Sequence, residues 1–492
     1  MKEYDVAIIG GGINGCGIAR DAAGRGLSVL LLEQNDLASG TSSASSKLIH
    51  GGIRYLENYD FRLVREALHE RELLLKNAPH LCRPMRFVIP HVPSMRPAWI
   101  IRIGIKLYDI LSGRSILPRS RVLDLADDPA GAPLRNAGGY GFEYSDGVTD
   151  DARLVIANAI DARERGAEIR TRTRVVSARR AGKHWELVLA EGAARETIHA
   201  RALINAAGPW AGHVLDAIVK SDSRVKMRLV KGSHIVYPRL YEHDRAYVLQ
   251  NSDGRIVFAI PFGTKYTLIG TTDVEVTGDP GHVSASADEI RYLCAIAGKF
   301  FRASVEPSGV VWTFAGVRPL IDDGKGSASK VSREYEIVGD GSYGEAPLLS
   351  LIGGKLTAFR AMSEDVVNRL AHWFAMRPAW TADEPLPGGD LGQGGFDGLL
   401  ADLARDHAYL PAATADRIAH AYGRRAINML GDAKRLEDLG ERLVGDLYRR
   451  ELDYLRAQEW AKTAEDVLWR RTKLGIAASE SEVAAVRAAL GA

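Results

Sequence analysis

Cysteine is scarce. Cys16, Cys82 and Cys294 are far apart in a chain of 492 residues and odd in number. No pair has metal-ligand spacing, so no metal site is expected and a reduced, cytosolic compartment fits. Long apolar runs are missing too. No uncharged stretch approaches the ~18–20 residues needed to span a bilayer, and any membrane contact should be peripheral. The chain enters an apolar segment at Val6, which leaves no room for a signal peptide. Charge of one sign is also lacking. A net charge of +2 gives no global field that would select nucleic acid. There is no internal repeat and no low-complexity segment. With 46% hydrophobic and 26% charged residues, the chain reads as an ordinary globular protein of two or three domains.

The most informative stretch is Val6–Glu33, VAIIGGGINGCGIARDAAGRGLSVLLLE. It reads as strand, tight turn, helix, strand. Gly10, Gly12 and Gly15 have the G-x-G-x-x-G spacing. One glycine serves the turn, one lets backbone approach a pyrophosphate, and one lets helix and strand pack closely. The helix N-terminus offers unpaired N–H groups and partial positive charge to phosphates. Glu33 closes the second apolar run, where a carboxylate can accept both hydroxyls of an adenosine ribose. It would repel a 2′-phosphate, which argues against NADP. The reading is a dinucleotide site.

Thr41–Glu57, TSSASSKLIHGGIRYLE, follows a polar linker. Its small hydroxyls and glycines allow close approach to a flat ligand, and Lys47, His50 and Arg54 add donors. Phe61–Lys76 shows a helical apolar face at Phe61, Val64, Leu68 and Leu75. His80–Leu117 is rich in proline, which should break regular structure. Within it, Trp99–Tyr108 with Arg96, Arg102, Lys106 and Arg114 suits a helix lying on an anionic membrane surface. A core helix with solvated basic residues fits the same pattern. Asp150–Gly166 reads as a capped helix, followed by strands near Ala167–Arg170 and Arg201–Ala206. Between Val225 and Ile337, short β-branched and aromatic runs suggest an inserted antiparallel sheet. Pro347–Ile352 is a buried-strand run, followed by Gly353-Gly-Lys-Leu-Thr357 and a helix. Beyond Gly389 the chain reads as a helical tail.

The expected domains are a discontinuous nucleotide-binding domain (1–80, 146–220 and 340–380), a substrate-binding and membrane-contact domain (81–145 and 221–339) and a helical C-terminal domain (385–492). An inserted antiparallel sheet and a second strand–glycine–helix junction, over three hundred residues after the first, suggest a flavoprotein. FAD would run from Glu33 at the adenosine to Gly353–Thr357 at the isoalloxazine. The helix beginning near Thr357 would aim its positive end at the flavin pyrimidine edge. Arg54, Arg318, Arg333 and Lys355 are candidate anion anchors. Alcohol oxidation also needs a base near neutrality, and His50 and His234 are the candidates.

These stretches together resemble FAD-dependent glycerol-3-phosphate dehydrogenase of the aerobic respiratory type, over nearly the whole chain. Further carriers are RPAWIIRIG, GFEYSDG, DDARLVIANA, NAAGPW, VKGSHIVYPRLY, IGTTDVE, WTFAGVRPL, LLSLIGGKLT and LWRRTK. The resemblance implies an α/β protein with an α+β insert. Its parts would be a Rossmann-like FAD domain of the glutathione-reductase/D-amino-acid-oxidase type, an antiparallel-sheet substrate domain and an all-helical C-terminal domain. It implies oxidation of sn-glycerol 3-phosphate to dihydroxyacetone phosphate, with hydride passing to flavin N5 and electrons to a membrane quinone. It also implies a homodimer, peripherally bound to the cytoplasmic face of the inner membrane. The implied substrate-site residues are Arg54, Tyr55, Arg318, Arg333 and Lys355, with Arg318, His50 and His234 in catalysis. The implied flavin contacts are Gly10, Gly12, Ile13, Asn14, Gly15, Glu33, Thr41, Ser42, Ser43, Lys47, Leu48, His50, Gly51, Gly52, Ala207, Gly208, Trp210, Arg318, Gly353, Gly354, Lys355, Leu356 and Thr357. Three rivals remain at this point: a glycerol-phosphate oxidase releasing peroxide, an amine or amino-acid oxidising flavoenzyme of the same fold, and a flavin-bound membrane scaffold without turnover.

Overall fold

The computed structural model describes residues 2–93, 95–221, 226–251, 254–322, 335–341 and 344–491. The first sheet grows from Glu3–Ile9, flanked in parallel by Val29–Leu32 and Ala194–Asn205. Glu168–Arg170 and Leu348–Gly353 extend it outward, also in parallel, and Tyr335–Asp340 closes one edge antiparallel. Both faces are covered, which is why these strands read as unbroken apolar runs. Val6, Ile8, Val29 and Leu31 pack with the helices Ile13–Gly24, Asp151–Glu164 and Phe359–Arg369. Ala7, Ile9, Leu30 and Leu32 face the other way, against the hairpin Arg174–Ala181/His184–Glu191 and its buried Trp185. The Asp150 carboxylate caps its helix as expected, accepting from the Arg153 N–H at 3.0 Å.

The second sheet differs from the expected antiparallel insert in one joint. Cys82–Pro90 lies parallel to Ala246–Gln250, while the other pairings are antiparallel. Cys82–Pro90 is itself a strand despite Pro84 and Pro90. Pro84 sits where the strand has Tyr140–Thr149 on one side, and the pairing to Ala246–Gln250 begins only at Phe87. A missing N–H costs nothing on such an open edge. Leu48–Ile49 joins this sheet and Tyr335–Asp340 joins the first, so the chain crosses between sheets at points that the expected boundaries at 80, 145 and 339 do not capture. Helix Ala287–Phe300 covers one face of the sheet; Phe61–Asn77 and Ala98–Leu111 cover the other.

The C-terminal region packs helices around its own core, including Leu399, Leu403, Ile418, Leu452 and Leu455. It is not wholly helical: Arg442–Val444 and Leu447–Tyr448 form a small ribbon. Buried ion pairs clasp it to the first sheet. Asp36 accepts from Arg470 at 2.5 Å and from Arg471 at 2.6 and 2.9 Å. Arg153 pairs with Glu459, and Lys473 with Asp150. Removing one member of such a buried cluster leaves the others uncompensated. Asp36→Ala is therefore expected to cost about 3–5 kcal/mol in denaturant unfolding. A midpoint equal to that of the parent would show that the clasp contributes nothing.

Candidate active site

The two glycine turns, far apart in sequence, meet at one cavity of about 1240 Å³. Leu348–Gly353 brings the second turn beside Ala194–Asn205, which lies beside Glu3–Ile9 and the first turn. Thr357 ties the second turn to the Thr41–Glu57 loop. Its hydroxyl accepts from the His50 N–H at 3.1 Å and lies 3.3 Å from the His50 carbonyl.

At one end, Gly10, Gly12, Ile13, Asn14 and Glu33 line the wall. Gly10 adopts φ +114°, and a Cβ there would meet the Ala206 carbonyl at 2.5 Å. Gly15 does not face the cavity; a Cβ on it would lie 1.9 Å from the Gly10 oxygen, so its role is close packing. Glu33 accepts from the N–H groups of Gly11 and Asn35, each at 2.7 Å. Burial raises its proton affinity and these donors oppose that shift. Thr41, Ser42, Leu48, Gly52, Ala207, Gly208 and Trp210 line the middle. The Ser42 hydroxyl accepts from the Ile13 N–H at 3.0 Å, and the Trp210 indole donates to Asp279 at 3.2 Å.

The far end gathers Arg54, Tyr55, His50, His234, Arg318, Gly353, Gly354, Lys355, Leu356 and Thr357. Lys355 Nζ lies 3.6 Å from the Tyr55 ring centre, a close cation–π contact. Arg54 donates to the Gly254 carbonyl at 3.3 Å. Arg318 donates to Asp273 at 2.5 Å, to the Thr271 hydroxyl at 3.2 Å and to the Thr272 carbonyl at 3.1 Å. Three of the four proposed cations therefore line the same cavity. Arg333 lies outside the described residues.

Three other named residues turn away. Lys47 spends its ammonium on Asp151 at 2.7 Å and on the Ser43 carbonyl at 3.0 Å, both behind the cavity wall. The Ser43 hydroxyl folds back on Gly40 at 3.4 Å. The Gly51 N–H donates to the Tyr108 hydroxyl at 2.9 Å, beneath the helices of the second sheet. Sequence reading also missed two side chains at the site. Asp273 partners Arg318, and Ser46 bonds His234 Nε2 at 2.8 Å. Both stand inside quoted motifs, but each is a loop residue that meets its partner across a tertiary contact, 45 and 188 residues away, which no local signal carries.

His234 is buried over Gly270, with Phe314 stacked on it at 4.8 Å. Its Nδ1 has no hydrogen-bond partner among the described residues. Burial first, then the charges of Arg318 and Lys47, hold its protonation well below the usual range, so it is neutral near pH 7. His80, buried where the C-terminal region meets the body, is pushed down to about 3 by burial. The sign follows from linkage. The unfolded chain protonates these histidines below about pH 6.5 and the folded chain does not. Their contribution is intact above that pH and declines as the pH falls, by about 2 kcal/mol for His80 at pH ~5. His80→Gln should therefore flatten the fall in unfolding free energy between about pH 7 and 5 by that amount.

Residues 5–360 match the model of the FAD dependent oxidoreductase family, and residues 379–491 match the C-terminal domain of alpha-glycerophosphate oxidase. A glycerol-3-phosphate dehydrogenase of Pseudomonas aeruginosa is 52% identical over 483 residues, covering 98% of this chain and 94% of its own. The chain belongs to the FAD-dependent glycerol-3-phosphate dehydrogenases. A D-erythritol 1-phosphate dehydrogenase of Brucella abortus is 48% identical over 98% of this chain and 97% of its own. The solved glycerol-3-phosphate dehydrogenase of Bacillus halodurans, complexed with FAD, superposes with a TM-score of 0.76 at 27% identity, covering 100% of this chain and 94% of that one.

As a member of this family, the protein uses FAD as its cofactor. Its own residues fit that ligand. The Asn14 Oδ1 is buried in the cavity wall without a partner among the described residues, beside the N-terminus of the helix Ile13–Gly24. Gly12 leaves room for diphosphate oxygens there. Glu33 and the Gly353–Thr357 turn line the same cavity.

Proposed function

We propose that the protein oxidises sn-glycerol 3-phosphate to dihydroxyacetone phosphate. The observation that supports this reading is that Arg54, Arg318, Lys355, His50 and His234 all line one cavity with the two glycine turns. Arg318 is already paired with Asp273 and Arg54 is exposed, so in this reading the substrate phosphate joins an existing charge network. In this reading Arg318 and Lys355 hold the phosphate, with Arg54 at the rim. FAD supplies the acceptor for the hydride, at N5. His234 takes the hydroxyl proton. The bound phosphate opposes the charge of Arg318 and so makes the imidazole a better acceptor when substrate is present. His50 is held through its backbone by Thr357 and orients the substrate beside it.

Anaerobic addition of glycerol 3-phosphate should bleach the flavin absorbance. No bleaching would remove the reading and favour a non-catalytic scaffold. The 48% identity to an erythritol-phosphate enzyme makes D-erythritol 1-phosphate the necessary second substrate in that experiment. A pH–rate profile in His234→Gln identical to that of the parent would remove its role as base.

The electron acceptor in this reading is a membrane quinone, as the family resemblance implies. Stoichiometric peroxide during turnover would overturn that choice. The enzyme sits peripherally on the cytoplasmic face of the inner membrane as a homodimer, again on the resemblance. No helix among the described residues is long and apolar enough to cross a membrane. The amphipathic helix Ala98–Leu111 supports surface attachment: Trp99 and Ile110 are 64% and 72% exposed, with Arg102 and Lys106 beside them. Trp99→Ser/Ile103→Ser/Ile110→Ser is expected to weaken sedimentation with anionic phospholipid vesicles by about 10–100-fold and leave turnover with a soluble acceptor intact.

A further inference from the structure

The motif Leu468-Trp-Arg-Arg-Thr-Lys473 clasps the C-terminal region to the first sheet, but its aromatic residue points elsewhere. Asp466–Arg471 forms one wide, π-type turn, a form that recurs at functional sites. The turn carries Trp469 onto Trp312, with ring centres 5.0 Å apart and planes at 28°. Gly475 backs the indole so closely that a Cβ there would lie 2.8 Å from the ring. Trp312 packs on Phe314 at 4.9 Å, and Phe314 lies nearly parallel to His234, at 4.8 Å and 13°. The antiparallel register explains this row. Phe314 stands opposite His234 and Trp312 opposite Val236, so alternate residues of the strand Trp312–Ile321 share one face.

The same segment reaches His234 from a second side. Lys473 pairs with Asp150. The neighbouring Asp151 accepts from the Ser45 hydroxyl at 2.8 Å and from Lys47 at 2.7 Å. Ser46, between them, is the residue bonded to His234 Nε2. The C-terminal segment thus meets the ring row directly at Trp469, and at Lys473 it pairs with the chain neighbour of the carboxylate that holds Ser45, next to Ser46.

We infer that Trp469 is a positioning residue, which presses Trp312 and Phe314 onto His234 and so holds the imidazole plane against Ser46 and away from water. The inference rests on His234 being the proton acceptor. A reacting group must be held within roughly 0.5 Å and 10–20°, and one stacked face does not supply that unless the ring behind it is itself supported. The charged groups facing His234 are Arg318 with its partner Asp273, and Lys47 with its partner Asp151. None of them touches Trp469. A change in the titration of His234 on removing the indole would therefore report water and ring movement.

The test uses the full-length, FAD-loaded protein. Trp469→Ala is expected to lower kcat by about 10-fold or more, with KM for glycerol 3-phosphate changed by less than about 3-fold. The acid limb of its kcat profile should move towards neutral pH, and Trp469→Phe should restore both properties. A second readout needs no turnover. The imidazole nitrogen resonances of His234, assigned by their loss in His234→Gln, should titrate at higher pH in Trp469→Ala than in the parent. Trp312→Leu cuts the row one ring closer and should give the same shift if Trp469→Ala does not fold. Unchanged His234 resonances in either folded variant overturn the inference. If the resonances shift but His234→Gln leaves the parent's turnover intact, the proton-acceptor reading fails and the brace stands.

Discussion

Gly12→Val is expected to purify as a folded, colourless protein. Gly12 has an ordinary extended backbone, with φ −83° and ψ −175°. A Cβ there meets only the Ser42 hydroxyl, at 3.1 Å. The added isopropyl group therefore projects into the cavity, where the diphosphate belongs, and not into the packed body. Two hydrogen bonds to charged phosphate oxygens contribute about 3–6 kcal/mol together, so FAD affinity should fall by roughly 10²–10⁴-fold. The measurement is flavin absorbance after equilibration with excess FAD, beside the unfolding midpoint. Gly15→Ala is the contrasting variant. Its Cβ would lie 1.9 Å from the Gly10 carbonyl oxygen, so it should lose stability as well as colour. A yellow Gly12→Val protein with parental affinity would place the diphosphate elsewhere.

Arg318→Ala should lower kcat/KM for glycerol 3-phosphate by roughly 10²–10⁴-fold, since it removes one or two charge-assisted contacts to the phosphate. The structure makes this variant worse than a simple loss. Asp273, now 2.5 Å from the guanidinium, would lose that pairing and turn its negative charge towards an anionic substrate. The double variant Arg318→Ala/Asp273→Asn should therefore recover part of the loss. Such recovery is a signature of charge and not of lost packing. Kinetics of Arg318→Ala equal to those of the parent would dismiss the phosphate clamp.

The parts of this protein that could be read from its residues are those whose physics is local. The Gly10-x-Gly12-x-x-Gly15 turn announces itself by its spacing, and Gly15 meets its steric demand at Gly10, close by in the chain, whereas the demand on Gly10 comes from distant Ala206. The Val6–Ile9 and Val29–Leu32 runs announce buried parallel strands because both faces are covered. Asp150 caps its helix through a neighbour three residues on. The inserted sheet was legible as a sheet, but its parallel joint at Phe87 and Val88 was not, because strand order is not written in any one strand.

The site itself divides the same way. Chemistry-bearing residue types stood out in Thr41–Glu57 and near Arg318, yet their partners did not. Lys47 looked like a ligand donor, and packing sent it to Asp151, 104 residues away. His234 owes its ring stack to Phe314 across a strand pair, and through Trp312 to Trp469 in another domain. Residue type and short spacing set the backbone of each turn and which way each strand can be buried, since those forces act over a few ångströms along the chain. Which charge meets which, and which imidazole is kept dry, depends on sheet register and on how separately formed layers dock. Those contacts come from residues hundreds of positions apart, and only the folded arrangement brings them within bonding distance.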